Sequence, residues 1–315
     1  MNLEAIELKG CLLVIALALV TLMSSGCKPS AETTTPQNKV PVVVTTTTML
    51  TDLAREIGGD KLDIQGLLTP GGDPHLYKPT PGDAKLIARS DLVLTHGLKL
   101  EGWMDNLVRN VGGESEVVVT TSGIKPYSDP QKTGYPDPHS WHDVSLWQKQ
   151  AENVCTAFVG LDPANAETYR SRKATYLKTL KTLDDWVKLE VAKIPASKRY
   201  LVTSHDAFRY FGERYGLKVV AVQGVSTDSE AGARDIARVV ELVRSQKIPA
   251  VFIESSVSPK LVEQISRETG AKVGGILYSD ALGAAGSGAA NYEGMIRANT
   301  ALIVKGLTGS SEQVK

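Results

Sequence analysis

The sequence predicts an α/β protein of two lobes, each a small, mostly parallel sheet flanked by helices, joined by one long rigid helix. Two observations carry this. Short β-rich runs alternate with helical patterns in two separate sets, and such alternation argues for βαβ units and parallel sheets. Between the sets, the stretch from Asp162 to Pro195 contains no glycine and no proline other than Pro163 and Pro195 themselves.

The first set begins with VVVTTT (Val42 to Thr47), followed by a helical stretch around Leu50 to Ile57. LDIQGLL (Leu62 to Leu68) and DLVLTHG (Asp91 to Gly97) are separated by a helical pattern from Pro81 to Arg89, and EVVVT (Glu116 to Thr120) follows another from Trp103 to Val111. The second set is RYLVTS (Arg199 to Ser204), LKVVAV (Leu217 to Val222), AVFIES (Ala250 to Ser255) and KVGGIL (Lys272 to Leu277). In the connecting stretch, Asp162-Pro163 reads as an N-cap with proline at the first helical position. Leu177, Leu180, Leu183, Val187, Val191 and Ile194 then recur at steps of three and four, which makes one apolar face. A helix of about 31 residues would be ~46 Å long, enough to run beside both lobes as a strut that resists hinge closure.

Composition narrows the function. The 315 residues carry 35 Lys plus Arg against 35 Asp plus Glu, and this balance offers no electrostatic footprint for nucleic acid. The 3 cysteines are too few and too scattered for a disulfide framework or a Cys-rich zinc site. Cys155, inside an apolar helical pattern, reads as a small core residue.

The apolar run from Cys11 to Met23 is too short to span the ~30 Å hydrocarbon core and reads as the central part of an export signal. It ends in Ser24-Ser25-Gly26-Cys27, which resembles a bacterial lipoprotein processing site and implies lipidation of Cys27. The protein is therefore expected outside the cytoplasm, periplasmic or on the outer face of the cytoplasmic membrane, anchored through Cys27. Residues 28–39, rich in Pro, Thr and Ser, read as a flexible tether. The expected organisation is a signal over 1–26, a tether over 27–39, a first lobe over 40–161, the long helix over 162–195, a second lobe over 196–309 and a tail over 310–315.

Chemistry is sought among the 5 histidines. His75 in GGDPHLYKP follows one strand, His139 in DPHSWHD lies beyond the loop leaving another, and His205 in TSHDAF sits directly at a strand end. Ligands of open parallel sheets bind outside the carboxyl ends of the strands, so these three lie on the productive edge. Asp280, in LYSDALG after the last strand, is the fourth candidate. Imidazole and carboxylate together suit divalent transition metals, and four such groups can fill a tetrahedral shell. Any one of these histidines taken alone is as readily a hydrogen-bonded structural residue, and they lie too far apart to form a short metal motif.

The blocks GGDPHLYKPTPGDAKLIARSDLVLTHGLKLEGWM, DPHSWHDVSLW, LVTSHDAFRYFGERYGL, QGVSTDSEAGARDI, PAVFIESSVSPKLVEQI and LYSDALG, in this order, resemble the TroA-like metal receptors of bacterial ABC importers for zinc and manganese. The resemblance runs from about Val40 to Leu307. It implies two lobes on a helical backbone and a ligand set of His75, His139, His205 and Asp280. It also implies one divalent ion as the transported ligand, Zn2+ or Mn2+ ahead of Fe2+, a membrane permease as partner, a monomer and no enzymatic activity. Some relatives carry Glu at the third ligand position, where manganese is commonly favoured; His205 leaves the metal open. Thr121 to Pro138 holds no histidine, unlike the His- and Asp-rich loop of many zinc-specific relatives.

Two further residues are nominated as supporting groups rather than ligands: Glu254, as acceptor for a ligand imidazole, and His142, the additional histidine of DPHSWHD. His96 reads as a structural or cleft-lining residue. Ser204-His205-Asp206 has the letters of a catalytic triad, but consecutive residues cannot form its relay. The glycine-rich segment Gly283 to Gly288 lacks the Lys-Ser/Thr of a phosphate loop and reads instead as flexible chain that lets Asp280 withdraw during release. Two rival readings remain at this level: a metal-dependent hydrolase, which needs an open coordination position, and a receptor for a siderophore or corrinoid, which needs no converging histidines.

Overall fold

In the computed structural model, residues 39–104, 106–107, 115–129, 134–228 and 231–309 are described. The expected export signal, Cys27, the tether up to residue 38 and the tail over 310–315 lie outside them, as does most of the helix expected from Trp103 to Val111. Strands β1 (Val42–Thr45), β2 (Asp63–Gly66), β3 (Leu92–Thr95) and β4 (Glu116–Val119) form an all-parallel sheet in the order β2-β1-β3-β4. The central strands β1 and β3 are apolar almost throughout and buried, as parallel strands covered on both faces require. The outer strands β2 and β4 are largely exposed.

Helix α1 (Thr48–Gly58) starts where Thr47 Oγ1 accepts the Leu50 amide at 3.3 Å, and it buries Met49, Leu50, Leu53, Ala54 and Ile57. Helix α2 (Pro81–Ala88) starts with a reciprocal cap between Thr80 and Asp83 and with proline at its first position. Helix α3 (Val144–Leu161) is capped by Asp143, which accepts the Ser145 and Leu146 amides. On its inner face are Trp147, Ala151, Val154, Phe158 and Cys155, the last only 3% exposed.

The connecting helix is α4 (Ala166–Ala192), 27 residues and therefore about 40 Å long. It begins three residues later than the Asp162-Pro163 cap suggests. Pro163–Asn165 makes a tighter turn first, and the Asp162 carboxylate accepts from Asn165 Nδ2 and Tyr169 OH, both at 2.7 Å, instead of capping an α-helix directly. Its buried face includes Tyr169, Tyr176, Leu180, Leu183, Val187 and Val191; Leu177 is half-buried.

The second lobe holds β5 (Tyr200–Thr203), α5 (Arg209–Tyr215), β6 (Lys218–Ala221), α6 (Ala233–Ser245), β7 (Ala250–Glu254), α7 (Lys260–Thr269), β8 (Lys272–Leu277) and α8 (Tyr292–Thr308). Its strands are two parallel pairs, β5-β6 and β7-β8, with β5 beside β7. Within β7-β8 the register shifts between Val251 and Ile253. Across that shift the Phe252 ring packs on Gly274, where an added Cβ would come within 2.4 Å of the ring. Helix α5 ends at Gly216, whose φ of 82° is the left-handed conformation that stops a helix cleanly.

Helix α4 packs against α1 and α3 on one side of the molecule and against α5 and α8 on the other. One apolar cluster runs through both lobes, from Met49 and Trp147 by way of Leu180 and Leu183 to Phe211, Phe252 and Ile303. The lobes thus share a core. Asp184 of α4 adds a polar tie, accepting from Arg214 Nη2 at 2.7 Å and Tyr215 OH at 3.0 Å. Among the described residues no helix is long and apolar enough to cross a membrane.

Candidate metal centre

The loops leaving the carboxyl ends of the strands carry the candidate residues. Two of these loops are built alike. In Asp73-Pro74-His75 the aspartate Oδ1 accepts the His75 amide at 2.8 Å, and in Asp137-Pro138-His139 Oδ1 of Asp137 accepts the His139 amide at 3.0 Å. Each aspartate turns the chain upon itself two residues on, and proline fixes the residue between, so the histidine side chain is aimed by a local device. His205 follows β5, with its amide donating to Glu254 Oε1 at 2.8 Å. Asp280 follows β8, after Tyr278 has been clamped at both its backbone groups by the Asn299 amide side chain, each bond 2.8 Å.

These four side chains meet. One ligand atom from each of His75, His139, His205 and Asp280 lies within 4.8 Å of the others. His75 Nε2 stands 3.2 Å from His139 Nε2 and 3.9 Å from Asp280 Oδ1; His139 Nε2 is 3.3 Å from the same oxygen, and His205 Nε2 is 3.5 Å from Asp280 Oδ2. Ligand atoms at ~2.0–2.1 Å from a tetrahedral zinc-sized ion are about 3.4 Å from one another, and the shorter of these separations are close to that edge. His139, His205 and Asp280 are fully buried, and the His75 side chain is 5% exposed. His205 Nε2 and Asp280 Oδ1 have no hydrogen-bond partner among the described residues, although both are buried. Polar atoms left so in an interior are costly unless a ligand completes them.

The nitrogens turned away from the cluster are held by carboxylates. His139 Nδ1 is 2.8 Å from Asp137 Oδ1, and His205 Nδ1 is 2.5 Å from Glu254 Oε2. A carboxylate at Nδ1 keeps the proton there and leaves Nε2 free to face a cation. The acidity of the group follows from its surroundings. Burial pushes the His139 imidazolium toward losing its proton, but hydrogen bonds to Asp137 and Asp280 and their charges outweigh burial and raise its pKa to about 9. His205 shows the same competition, burial against the charges of Glu254 and Asp280, and ends well above the usual imidazole value. Burial lowers His75 to about 3. For Asp280 burial acts upward, yet the His205 and His139 charges and hydrogen bonds hold it well below the carboxylate range.

The remaining histidines point elsewhere. His96 is buried between Thr47 Oγ1 at 3.0 Å from Nε2 and Gln150 Oε1 at 3.1 Å from Nδ1, a structural setting. His142 is also fully buried, not on the surface: its ring stacks on Phe208 at 4.4 Å and its Nε2 donates to the Ser279 carbonyl at 3.0 Å. That carbonyl also accepts from Trp141 Nε1 at 2.9 Å, so two side chains preceding α3 anchor the residue next to Asp280 from across the cleft. Sequence reading gave no role to Asp137, Trp141, Ser256 or Ser279. Asp137 had a signal in the repeated Asp-Pro-His spacing; the serines had none, since serine at a strand end is commonplace.

The loop carrying Asp280 is not loose. Leu282 N donates to Thr48 Oγ1 at 2.8 Å, and Gly71 N donates to Leu282 O at 3.2 Å, so the segment is tied to the first lobe immediately after Asp280. The exposed part of the loop begins at Ala284, four residues beyond Asp280. Ser204, His205 and Asp206 form no relay: the Ser204 hydroxyl has no partner among the described residues, and the Asp206 amide donates to Gly224 O at 3.1 Å.

Residues 43–306 match the family described as ZnuA, zinc-uptake complex component A, periplasmic. The manganese-binding lipoprotein MntA of Bacillus subtilis (strain 168) is 38% identical over 302 residues, covering 94% of this chain and 98% of the relative. The zinc-binding protein TroA of Treponema pallidum (strain Nichols) is 37% identical over 306 residues, covering 94% and 97%. The solved structure of periplasmic zinc-binding TroA superposes with a TM-score of 0.82 at 37% identity, over 85% of this chain and 99% of that one. Family model, relatives and superposed structure cover nearly the whole described chain, and it is a member of the ZnuA family of periplasmic metal-uptake components.

Proposed function

We propose that this protein captures a divalent transition metal, zinc or manganese, between its lobes through His75, His139, His205 and Asp280 and delivers it to the permease of an ABC importer. The reading is carried by one observation above all: three imidazole nitrogens and a carboxylate, drawn from loops far apart in the chain, lie buried within 4.8 Å of one another. The metal is cargo. Three nitrogens and one oxygen complete a tetrahedral shell with no position left for a reactive water, so capture and not catalysis is the chemistry of the site. The chain is a receptor and not an enzyme, as its family is.

Export is directed by residues 1–26, and Cys27, lipidated, anchors a monomer to the outer face of the cytoplasmic membrane through the tether that ends at residue 39. The lobes over 40–161 and 196–309 and the helix over 162–195 are the working parts. Relatives named for manganese, zinc and iron support an extracytoplasmic metal receptor without choosing the ion.

Metal-free protein titrated separately with Zn2+ and Mn2+ tests the reading. One equivalent binds tightly with a large rise in Tm, because ligand bound to the native state alone stabilises it. Alanine at His139 or His205 abolishes tight binding. Retention of wild-type affinity by both variants would refute the assignment of the site.

A further inference from the structure

We propose that Thr227 sets how long the captured ion is held, by fixing, through Asp73, the loop that presents His75 to it. The inference rests on the receptor reading above and deepens it. The other candidate ligands have side chains braced by neighbours: His139 by Asp137 at Nδ1, His205 by Glu254 at Nδ1, and Asp280 by the Ser256 and Ser279 hydroxyls, 2.7 and 2.8 Å from its Oδ2. His75 is the exception. Among the described residues no carboxylate stands beside its Nδ1. Its ring instead lines a cavity of about 340 Å³ together with Tyr77, Trp103, Pro138, Val225 and Ser226.

The place of His75 is therefore decided by its backbone. Asp73 Oδ1 accepts the His75 amide at 2.8 Å, and Pro74 fixes the residue between. The other oxygen of Asp73 reaches the second lobe: Oδ2 accepts from Thr227 Oγ1 at 2.7 Å, a residue of the loop between β6 and α6. That loop is itself fastened around the third histidine. Gln223 N donates to Ser204 O at 2.9 Å and Asp206 N to Gly224 O at 3.1 Å, one bond on each side of His205. Gln223 to Thr227 thus runs from the His205 loop of one lobe to the His75 loop of the other, with Val225 buried on the way. A second tie, Gly71 N to Leu282 O at 3.2 Å, holds the base of the His75 loop but not the aspartate that aims the imidazole.

An ion leaves a shell of four ligands one bond at a time, and the ligand whose orientation is least supported is the first to let go. While Thr227 holds Asp73, a detached His75 remains aimed at the ion and binds it again. An O–H donated to a carboxylate is among the stronger hydrogen bonds, so this hold is firm. Without the hydroxyl the Asp73-Pro74-His75 turn parts from the His205 side, and escape into the cavity outruns recapture. Association suffers less, because the incoming ion meets the three braced ligands first. The effect falls on the dissociation rate, where most differences in affinity between related complexes lie.

Wild type, Thr227→Val, Thr227→Ser, His75→Ala and the double variant of Thr227→Val with His75→Ala are each loaded with Zn2+ and mixed with excess chelator, and release is followed by stopped flow. Association is followed by mixing the metal-free proteins with Zn2+. Thr227→Val, which keeps the shape of the side chain without its hydroxyl, releases the ion about tenfold faster at an unchanged association rate, the size of effect usual for groups that orient metal ligands. Thr227→Ser, which keeps the hydroxyl, releases at the wild-type rate. In the His75→Ala background the Thr227→Val change has no effect, because the ligand through which it acts is gone. Wild-type release from Thr227→Val, or equal acceleration with and without His75, overturns the proposal. If the His75→Ala protein retains no zinc, the metal-free Tm decides: faster release from Thr227→Val at an unchanged Tm upholds the role, and faster release with a fall in Tm overturns it. Failure of the wild type to bind Zn2+ would sink the receptor reading instead.

Discussion

Asp137 performs two tasks with one oxygen: Oδ1 accepts the His139 amide at 3.0 Å and its Nδ1 at 2.8 Å. Glu254 divides the same tasks between two oxygens, Oε1 for the His205 amide and Oε2 for its Nδ1. Both carboxylates thus orient a backbone and a ring together, which fixes the ring before any ion arrives. Replacing Asp137 by Ala removes both bonds, and metal affinity measured by titration is expected to fall 10–100-fold with secondary structure retained. Glu254→Gln should do likewise, since a carboxamide has one acceptor oxygen for two N–H donors and turns an NH2 group toward the second. Wild-type affinity in both variants would show that the rings are aimed by packing alone. His142 stands apart from this pair: its Nε2 is committed to the Ser279 carbonyl, and burial holds its pKa down at about 3, so it remains a neutral donor.

Helix α4 joins the lobes in one core, because its apolar face contributes to a cluster drawn from both. Leu183 is fully buried there, and Leu183→Ala should lower unfolding stability by about 2–5 kcal/mol through lost burial and the cavity left behind. Denaturant unfolding measures this, and a loss under about 1 kcal/mol would mean that the helix lies on the core without sharing in it. Much at this scale was legible in the sequence. Val42–Thr45 and Leu92–Thr95 are continuous apolar runs because central parallel strands are covered on both faces. The face from Leu180 to Val191 was legible because its period is that of a helix. The pairing of β5-β6 apart from β7-β8 was not, since hydrogen bonding between strands leaves no trace in composition. The late start of α4 was hidden because Asp-Pro announces an N-cap equally well whether the first turn is α or tighter. At the candidate site, His75, His139, His205 and Asp280 were nominated by their places after strands and singled out by the family resemblance, whereas Ser256 and Ser279 become visible only when β7 and β8 lie side by side.

For the whole molecule, proton and metal compete for the same cleft. Against the effect of burial, hydrogen bonds and charges of Asp137 and Asp280 raise the His139 pKa to about 9, and the charges of Glu254 and Asp280 raise that of His205, so in the proposed receptor an ion has to displace protons that these imidazoles hold more tightly than usual. On the proposed reading, a divalent ion displaces the protons held at the two Nε2 atoms, while the carboxylates beside Nδ1 stay in place. Uptake at pH 7 should therefore release about two protons per ion, read by calorimetry in buffers of different ionisation enthalpy. The sign of the stability effect follows. Both histidines have native pKa values raised above the ~6.5 of an unfolded chain, so their contribution is complete below about pH 6.5 and is lost as pH climbs through the native values, about 9 for His139. Metal-free protein should then lose Tm between pH 6.5 and 9, while the rise in Tm produced by saturating Zn2+ grows over the same interval because fewer protons oppose ligation. The two trends are opposite and arise from the same two nitrogens. Parallel pH dependence of both forms, with no proton release, would mean that neither imidazole exchanges a proton for the ion.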